Sequence, residues 1–133
     1  MIGIVIATHG CMGIELVKTA ELIIGKCEKV EAVPFFPHES GEELTQKIKQ
    51  AIANVNDGDG VAIFVDLVGG NCCTISGAFL RDENIEILSG VNLPMIIKLI
   101  DHRHEGKVKD VIAAVQKAGI NSIINLRERI AKQ

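Results

Sequence analysis

The chain has no tryptophan and no tyrosine, and four phenylalanines make up its whole aromatic complement. Proteins that hold single-stranded nucleic acid stack bases on aromatic platforms, so this scarcity argues against that class of partner. Charge argues the same way. Fourteen basic and seventeen acidic residues leave a net charge of −3 with no block of one sign, hence no chain-wide attraction to a phosphodiester backbone or an anionic lipid surface. Also missing is any run near the ~20 apolar residues that a membrane helix requires. The apolar start at residues 2–7 meets polar Thr8 at once and has no basic residue before it. It reads as a first strand rather than a signal peptide. Cys11, Cys27, Cys72 and Cys73 show no CxxC spacing, so reduced thiols in a cytoplasmic protein are expected.

What is present suits one globular unit over residues 1–133. A chain of this length buries about two thirds of its unfolded surface and needs no disulfide or metal to fold. Apolar residues alternate between strand-like runs and helical spacing. Strands are expected at residues 2–7, 30–36, 61–65 and 85–88. Helices are expected at 12–26, after the Ser40-Gly41-Glu42-Glu43 capping pattern, in a short stretch after Gly70, and at 95–100 and 108–118. Val61 to Val65 is apolar at every position, as in a central parallel strand covered on both faces. Residues 101–106 read as an exposed polar joint, and 122–126 as a last edge strand. Right-handed crossovers then favour an α/β, doubly wound, mostly parallel four-stranded sheet of order 2-1-3-4, with helices on both faces.

In that topology the first and third strands are neighbours, and ligands bind at the carboxyl ends of the strands. His9 ends the first strand and Asp66 follows the third, so an imidazole and a carboxylate meet in one crevice. A carboxylate on one ring nitrogen fixes the tautomer that leaves the other nitrogen free to attack. Gly10 keeps side-chain bulk away from the ring. Amides at Gly69 and Gly70 and at the following helix start could cradle an anion. Each residue also has a plain structural role open to it: His9 as a hydrogen-bonded loop histidine, Asp66 as a turn cap, Gly69-Gly70 as a turn. The 9–13 segment lacks the GxGxxG pattern of a dinucleotide site. A cluster at His102-Arg103-His104 is more simply surface, and Cys72-Cys73 two small buried residues at a helix start.

Three segments then go further together. Ile4-Val5-Ile6-Ala7-Thr8-His9-Gly10, Phe64-Val65-Asp66-Leu67-Val68-Gly69-Gly70 and Ser89-Gly90-Val91-Asn92-Leu93-Pro94-Met95 resemble, in order and interval, the mannose-family EIIA domain of the bacterial phosphoenolpyruvate:sugar phosphotransferase system (PTS). The resemblance implies that His9 accepts a phosphoryl group from the phosphocarrier HPr and passes it to an EIIB domain, which serves sugar uptake through a membrane permease. It implies that Asp66 orients the ring, that no cofactor is needed, and that the chain is a homodimer exchanging its last strand. The sequence departs from the family where Val68 replaces an aromatic residue. It departs again where Asn71, Cys72 and Thr74 stand in place of Ser or Thr, then Pro, then Asn. The Asn71 amide would then serve as the phosphate donor group.

Three other functions fit parts of this pattern. One is the phosphoryl-donor domain of a dihydroxyacetone kinase system, which resembles the same fold. A second is a non-catalytic regulatory module. A third is a thiol or metal site built from His9, Cys11, Cys72 and Cys73, although those spacings match no common zinc pattern.

Overall fold

A computed structural model describes residues 1–132. It contains four strands, β1 (Gly3–His9), β2 (Val30–Phe35), β3 (Val61–Val65) and β4 (Ile85–Leu88). They form one sheet of order β2-β1-β3-β4 in which every pairing is parallel. Six helices accompany them: α1 (Met12–Ile24), α2 (Gly41–Val55), α3 (Asn71–Gly77), α4 (Leu93–His102), α5 (Val108–Asn121) and α6 (Leu126–Ala131).

Strand alternation sorts the core into two layers. Ile4, Ile6, Ala62 and Phe64 face α1, α4 and α5, where they meet Ala20, Met95, Ile96, Leu99, Val111 and Val115. Val5, Ala7, Ile63 and Val65 face α2 and α3, where they meet Leu44, Ile48, Ala51, Val55 and Cys72. The chain leaves β1 through α1 toward β2, then crosses back over β1 through α2 to reach β3. Opposite travel with one handedness puts α1 and α2 on opposite faces. The gap between them opens at the carboxyl end of β1, where the strand order reverses.

Local chemistry sets the helix starts. Ser40 accepts a hydrogen bond from the Glu43 amide at 3.1 Å, and Asn92 accepts one from Met95 at 3.1 Å, both N-cap arrangements. The cap of α1 is less usual, because Cys11 makes no side-chain bond. Buried Thr8 supplies it from inside β1, its hydroxyl oxygen accepting from Gly13 N–H at 2.9 Å.

Two expectations fail. Residues 122–126 form no edge strand: α5 runs on to Asn121, residues 123–125 have no regular structure, and Leu126 opens α6. Asn125 decides the outcome by accepting from the Glu128 amide at 3.2 Å, a cap that starts a helix where the apolar pair Ile123-Ile124 alone suggested a strand. The 101–106 joint is not uniformly exposed either. His102 belongs to α4, and Arg103 is only 4% exposed. Arg103 donates from Nε and Nη2 to the Ile2 carbonyl (3.0 and 2.7 Å), from Nη2 to that of Lys29 (3.0 Å) and from Nη1 to that of Glu28 (2.7 Å).

Candidate active site

The β1–β3 pairing sets Ala7 opposite Val65, so His9 and Asp66 leave adjacent strands at the same edge. The Asp66 carboxylate engages the turn three ways. Its Oδ2 lies 2.7 Å from His9 Nδ1 and accepts from the His9 backbone N–H at 3.0 Å, while Oδ1 accepts from Leu67 N–H at 3.1 Å. The two side chains differ in access. Asp66 is 11% exposed and His9 48%, so the acid is fixed in the floor and the ring stands in the opening.

Burial is the largest influence on Asp66 and pushes its pKa up. Hydrogen bonds from the His9 amide and ring, with the charge of His9, outweigh it and hold the carboxyl below the usual aspartate value. Asp66 is therefore ionised near neutral pH, and an ionised carboxylate only accepts. Neutral His9 must then carry its proton on Nδ1, which leaves the lone pair on Nε2. The ring is steadied from behind by Phe35 in an edge-on contact at 6.2 Å between centroids.

The glycines act differently from one another. A side chain on Gly10 would meet nothing within 4 Å, but its φ of +58° lies in the left-handed region. Gly10 thus serves the turn through its backbone and not by sparing bulk, and Gly69 (φ +87°, also open) is the same case. Gly70 is the reverse. Its backbone is ordinary, yet a Cβ there would lie 2.8 Å from His9 Cε1 and 3.5 Å from Nε2. The absent side chain at Gly70 is space for the imidazole. Gly70 caps α3, and exposed Asn71 is its first residue.

Sequence reasoning groups Cys72 with His9, Cys11 and Cys73, and the structure instead sets it with His9 and Asp66. Cys72 is fully buried, and its sulfur lies with an Asp66 oxygen and a His9 ring nitrogen in a group whose atoms are all within 4.8 Å of one another. Burial first, then the nearby Asp66 charge, pushes its thiol pKa up to about 11. Cys11 and Cys73 do not join this group. Among the described residues, His102 is not part of a metal-ligating group of three; it pairs with Glu105 at 2.5 Å. A cavity of about 330 Å³ lies elsewhere, between β4 and α5, lined by Leu88, Asn92, Met95, Ile120 and Ile123 among others.

The family model EIIA-man, described as the PTS system fructose IIA component, matches residues 3–116. The chain belongs to the EIIA-man family. It is 34% identical over 115 residues to the PTS system mannose-specific EIIAB component of Escherichia coli K12, a match covering 86% of this chain and 36% of that protein. The chain thus spans little more than a third of the mannose-specific relatives it matches. It is 30% identical over 113 residues to the PTS system fructose-specific EIIA component of Bacillus subtilis 168, covering 84% of this chain and 77% of that one. In fold it matches the crystal structure of phosphotransferase system component EIIA from Streptococcus agalactiae, with a TM-score of 0.89, 26% identity, and coverage of 96% and 99%. EIIA components are phosphotransferase components, and a histidine held by a carboxylate in an open crevice is chemistry suited to that class. No helix among the described residues is long and apolar enough to cross a membrane.

Proposed function

We propose that this chain is a cytoplasmic phosphohistidine carrier of the sugar PTS, taking a phosphoryl group from HPr on His9 and passing it to an EIIB domain. The observation that carries this reading is the 2.7 Å contact between Asp66 Oδ2 and Nδ1 of a half-exposed His9. It leaves Nε2 as the nucleophile, next to the clearing made by Gly70. The Nε2 lone pair forms the new nitrogen–phosphorus bond as the bond between phosphorus and the donor breaks, and the second transfer repeats this with His9 as the leaving group. Such transfers pass through a loose transition state that depends mainly on alignment and on donors to the phosphoryl oxygens. Gly10, Gly69 and Gly70 would supply close backbone approach, and the Asn71 amide the side-chain donor.

A protein donor needs a surface. Met12, Leu67 and Val68, adjacent in sequence to the reacting segments, are 45%, 51% and 74% exposed, an apolar rim of the kind a docking partner covers.

The same reading extends to a homodimer. Ile120, Ile123, Ile124, Leu126 and Ile130 are all exposed, and β4 is an edge strand whose outer backbone groups are free to pair with another chain. Sedimentation as a monomer at micromolar concentration would refute this part.

The central experiment is incubation with phosphoenolpyruvate, enzyme I and HPr, followed by intact mass. One added phosphoryl group, acid-labile and absent in His9→Ala, is expected. An unchanged mass where a control EIIA is labelled would favour a regulatory module. Release of the label to a dihydroxyacetone kinase nucleotide-binding subunit, and not to an EIIB, would reassign the partner.

A further inference from the structure

The thiol of Cys72 has no part in the transfer just described, yet it sits against both groups that have. One imidazole nitrogen, one carboxylate oxygen and one sulfur, mutually within 4.8 Å, make a mixed donor set. Nitrogen, oxygen and sulfur donors together suit Zn²⁺ better than Mg²⁺ or Ca²⁺, which take oxygen ligands. A tetrahedral ion with bonds of about 2.0–2.3 Å sets its ligand atoms roughly 3.3–3.7 Å apart. The present distances bracket that spacing, since His9 and Asp66 stand at 2.7 Å and the widest separation does not exceed 4.8 Å. Exposed His9 gives an entry path, and buried Cys72 closes the inner side.

We propose that His9, Asp66 and Cys72 form a binding site for Zn²⁺, with a water in the fourth position, and that occupancy switches the phosphoryl acceptor off. Binding forms metal–nitrogen, metal–oxygen and metal–sulfur bonds and releases the Cys72 thiol proton to solvent, with no change of oxidation state. One divalent cation, one thiolate and one carboxylate sum to zero, so the buried side of the site carries no net charge. Inhibition follows from proton bookkeeping. Neutral imidazole has a single lone-pair nitrogen, and whichever nitrogen binds the metal, the other holds the proton. If the ion takes Nδ1 from the Asp66 hydrogen bond, the ring proton moves to Nε2 and nucleophilicity is lost.

Binding stands independently of the carrier reading, and only its inhibitory consequence rests on that reading. The test therefore has two arms. In the first, Co²⁺ as probe is titrated into the full chain. One ion per chain and a thiolate-to-cobalt charge-transfer band are expected, and Zn²⁺ titrated in buffers of different ionisation enthalpy should release about one proton per ion. Cys72→Ser should abolish the band and weaken Zn²⁺ by more than the roughly 10–100-fold that losing an outer-shell partner costs. Cys72→Ala is the second variant in case a buried hydroxyl prevents folding, and Cys73→Ser should bind as the parent does. A chain that binds no Zn²⁺ stoichiometrically, or keeps the band without Cys72, overturns the site. In the second arm, Zn²⁺ should block HPr-dependent labelling of the parent but not of Cys72→Ala, with the donor system shown active on a control EIIA. Zn²⁺ binding that leaves labelling intact overturns the switch while the site stands. A parent chain that binds Zn²⁺ yet is never labelled overturns the carrier reading instead.

Discussion

The two ends of β1 carry two basic side chains put to opposite use. At the carboxyl end, His9 is about half exposed and has one carboxylate partner. At the amino end, Arg103 is 4% exposed and spends its guanidinium on four contacts to the carbonyls of Ile2, Glu28 and Lys29. Arg103 has no salt bridge to an acid within the described residues; backbone dipoles compensate it. Burial pulls its pKa below the ordinary arginine value, but the group remains a cation. From the residue just past the end of α4 it ties the entry to β1, 101 residues away in sequence, to the turn before β2. A group that must meet a partner molecule is left under-coordinated and reachable. A group that holds chain segments together is saturated and sealed.

The largest effect expected from this contrast is at the sealed end. Arg103→Met fills similar volume but strips hydrogen bonds from the Ile2 and Glu28 carbonyls. Burying such groups unpaired should cost about 3 kcal/mol and lower the melting temperature by on the order of 10 °C, while the folded fraction still accepts phosphoryl at the parent rate. A melting curve unchanged from the parent would break the comparison, as it would mean that Arg103 holds nothing.

Next comes the reachable end, read by rate and not by stability. Asp66→Asn keeps the shape, but its amide can turn a donor toward Nδ1 and so favour the tautomer with the proton on Nε2. Labelling of His9 should slow roughly 100-fold or more, with a stability change within about 1 kcal/mol. Equal losses in rate and stability would place Asp66 with Arg103 among the architectural groups.

How much of this was visible in the residues themselves follows from range. The sheet order, β3 as a fully covered strand and the meeting of His9 with Asp66 all follow from local apolar patterning plus the handedness of crossovers. The Arg103 clamp does not, because its partners are carbonyls of residues 2, 28 and 29, and backbone acceptors leave no mark in a sequence. Arg103 looked like one more charge in the polar stretch Asp101-His102-Arg103-His104-Glu105. Residues 122–126 misled in the other direction. The β-branched Ile123-Ile124 suggests a strand, but a strand exists only where it has a ladder to join, and the Asn125 cap decides for helix locally. The pair Cys72-Cys73 reads as two small buried residues at a helix start, which holds for Cys72 and not for partly exposed Cys73. That the Cys72 sulfur turns toward His9 and Asp66 depends on how α3 packs on Val65 and Ala7, which no spacing rule encodes.

The smallest effects separate two neighbouring glycines along the same line. Gly69 has φ +87° and open space around its Cβ position, whereas Gly70 has φ −81° and a histidine ring 2.8 Å away. Gly69→Ala should therefore cost about 1 kcal/mol of stability through backbone strain and leave the imidazole where it is. Gly70→Ala strains no backbone, but its methyl group must displace the His9 ring by a few tenths of an ångström. Since misplacement near 1 Å can cost about 100-fold, a loss of about 10-fold in labelling rate at nearly unchanged melting temperature is expected. If the two variants exchange these behaviours, Gly70 serves the turn and not the ring, and the space beside Nε2 is not what admits the phosphoryl group.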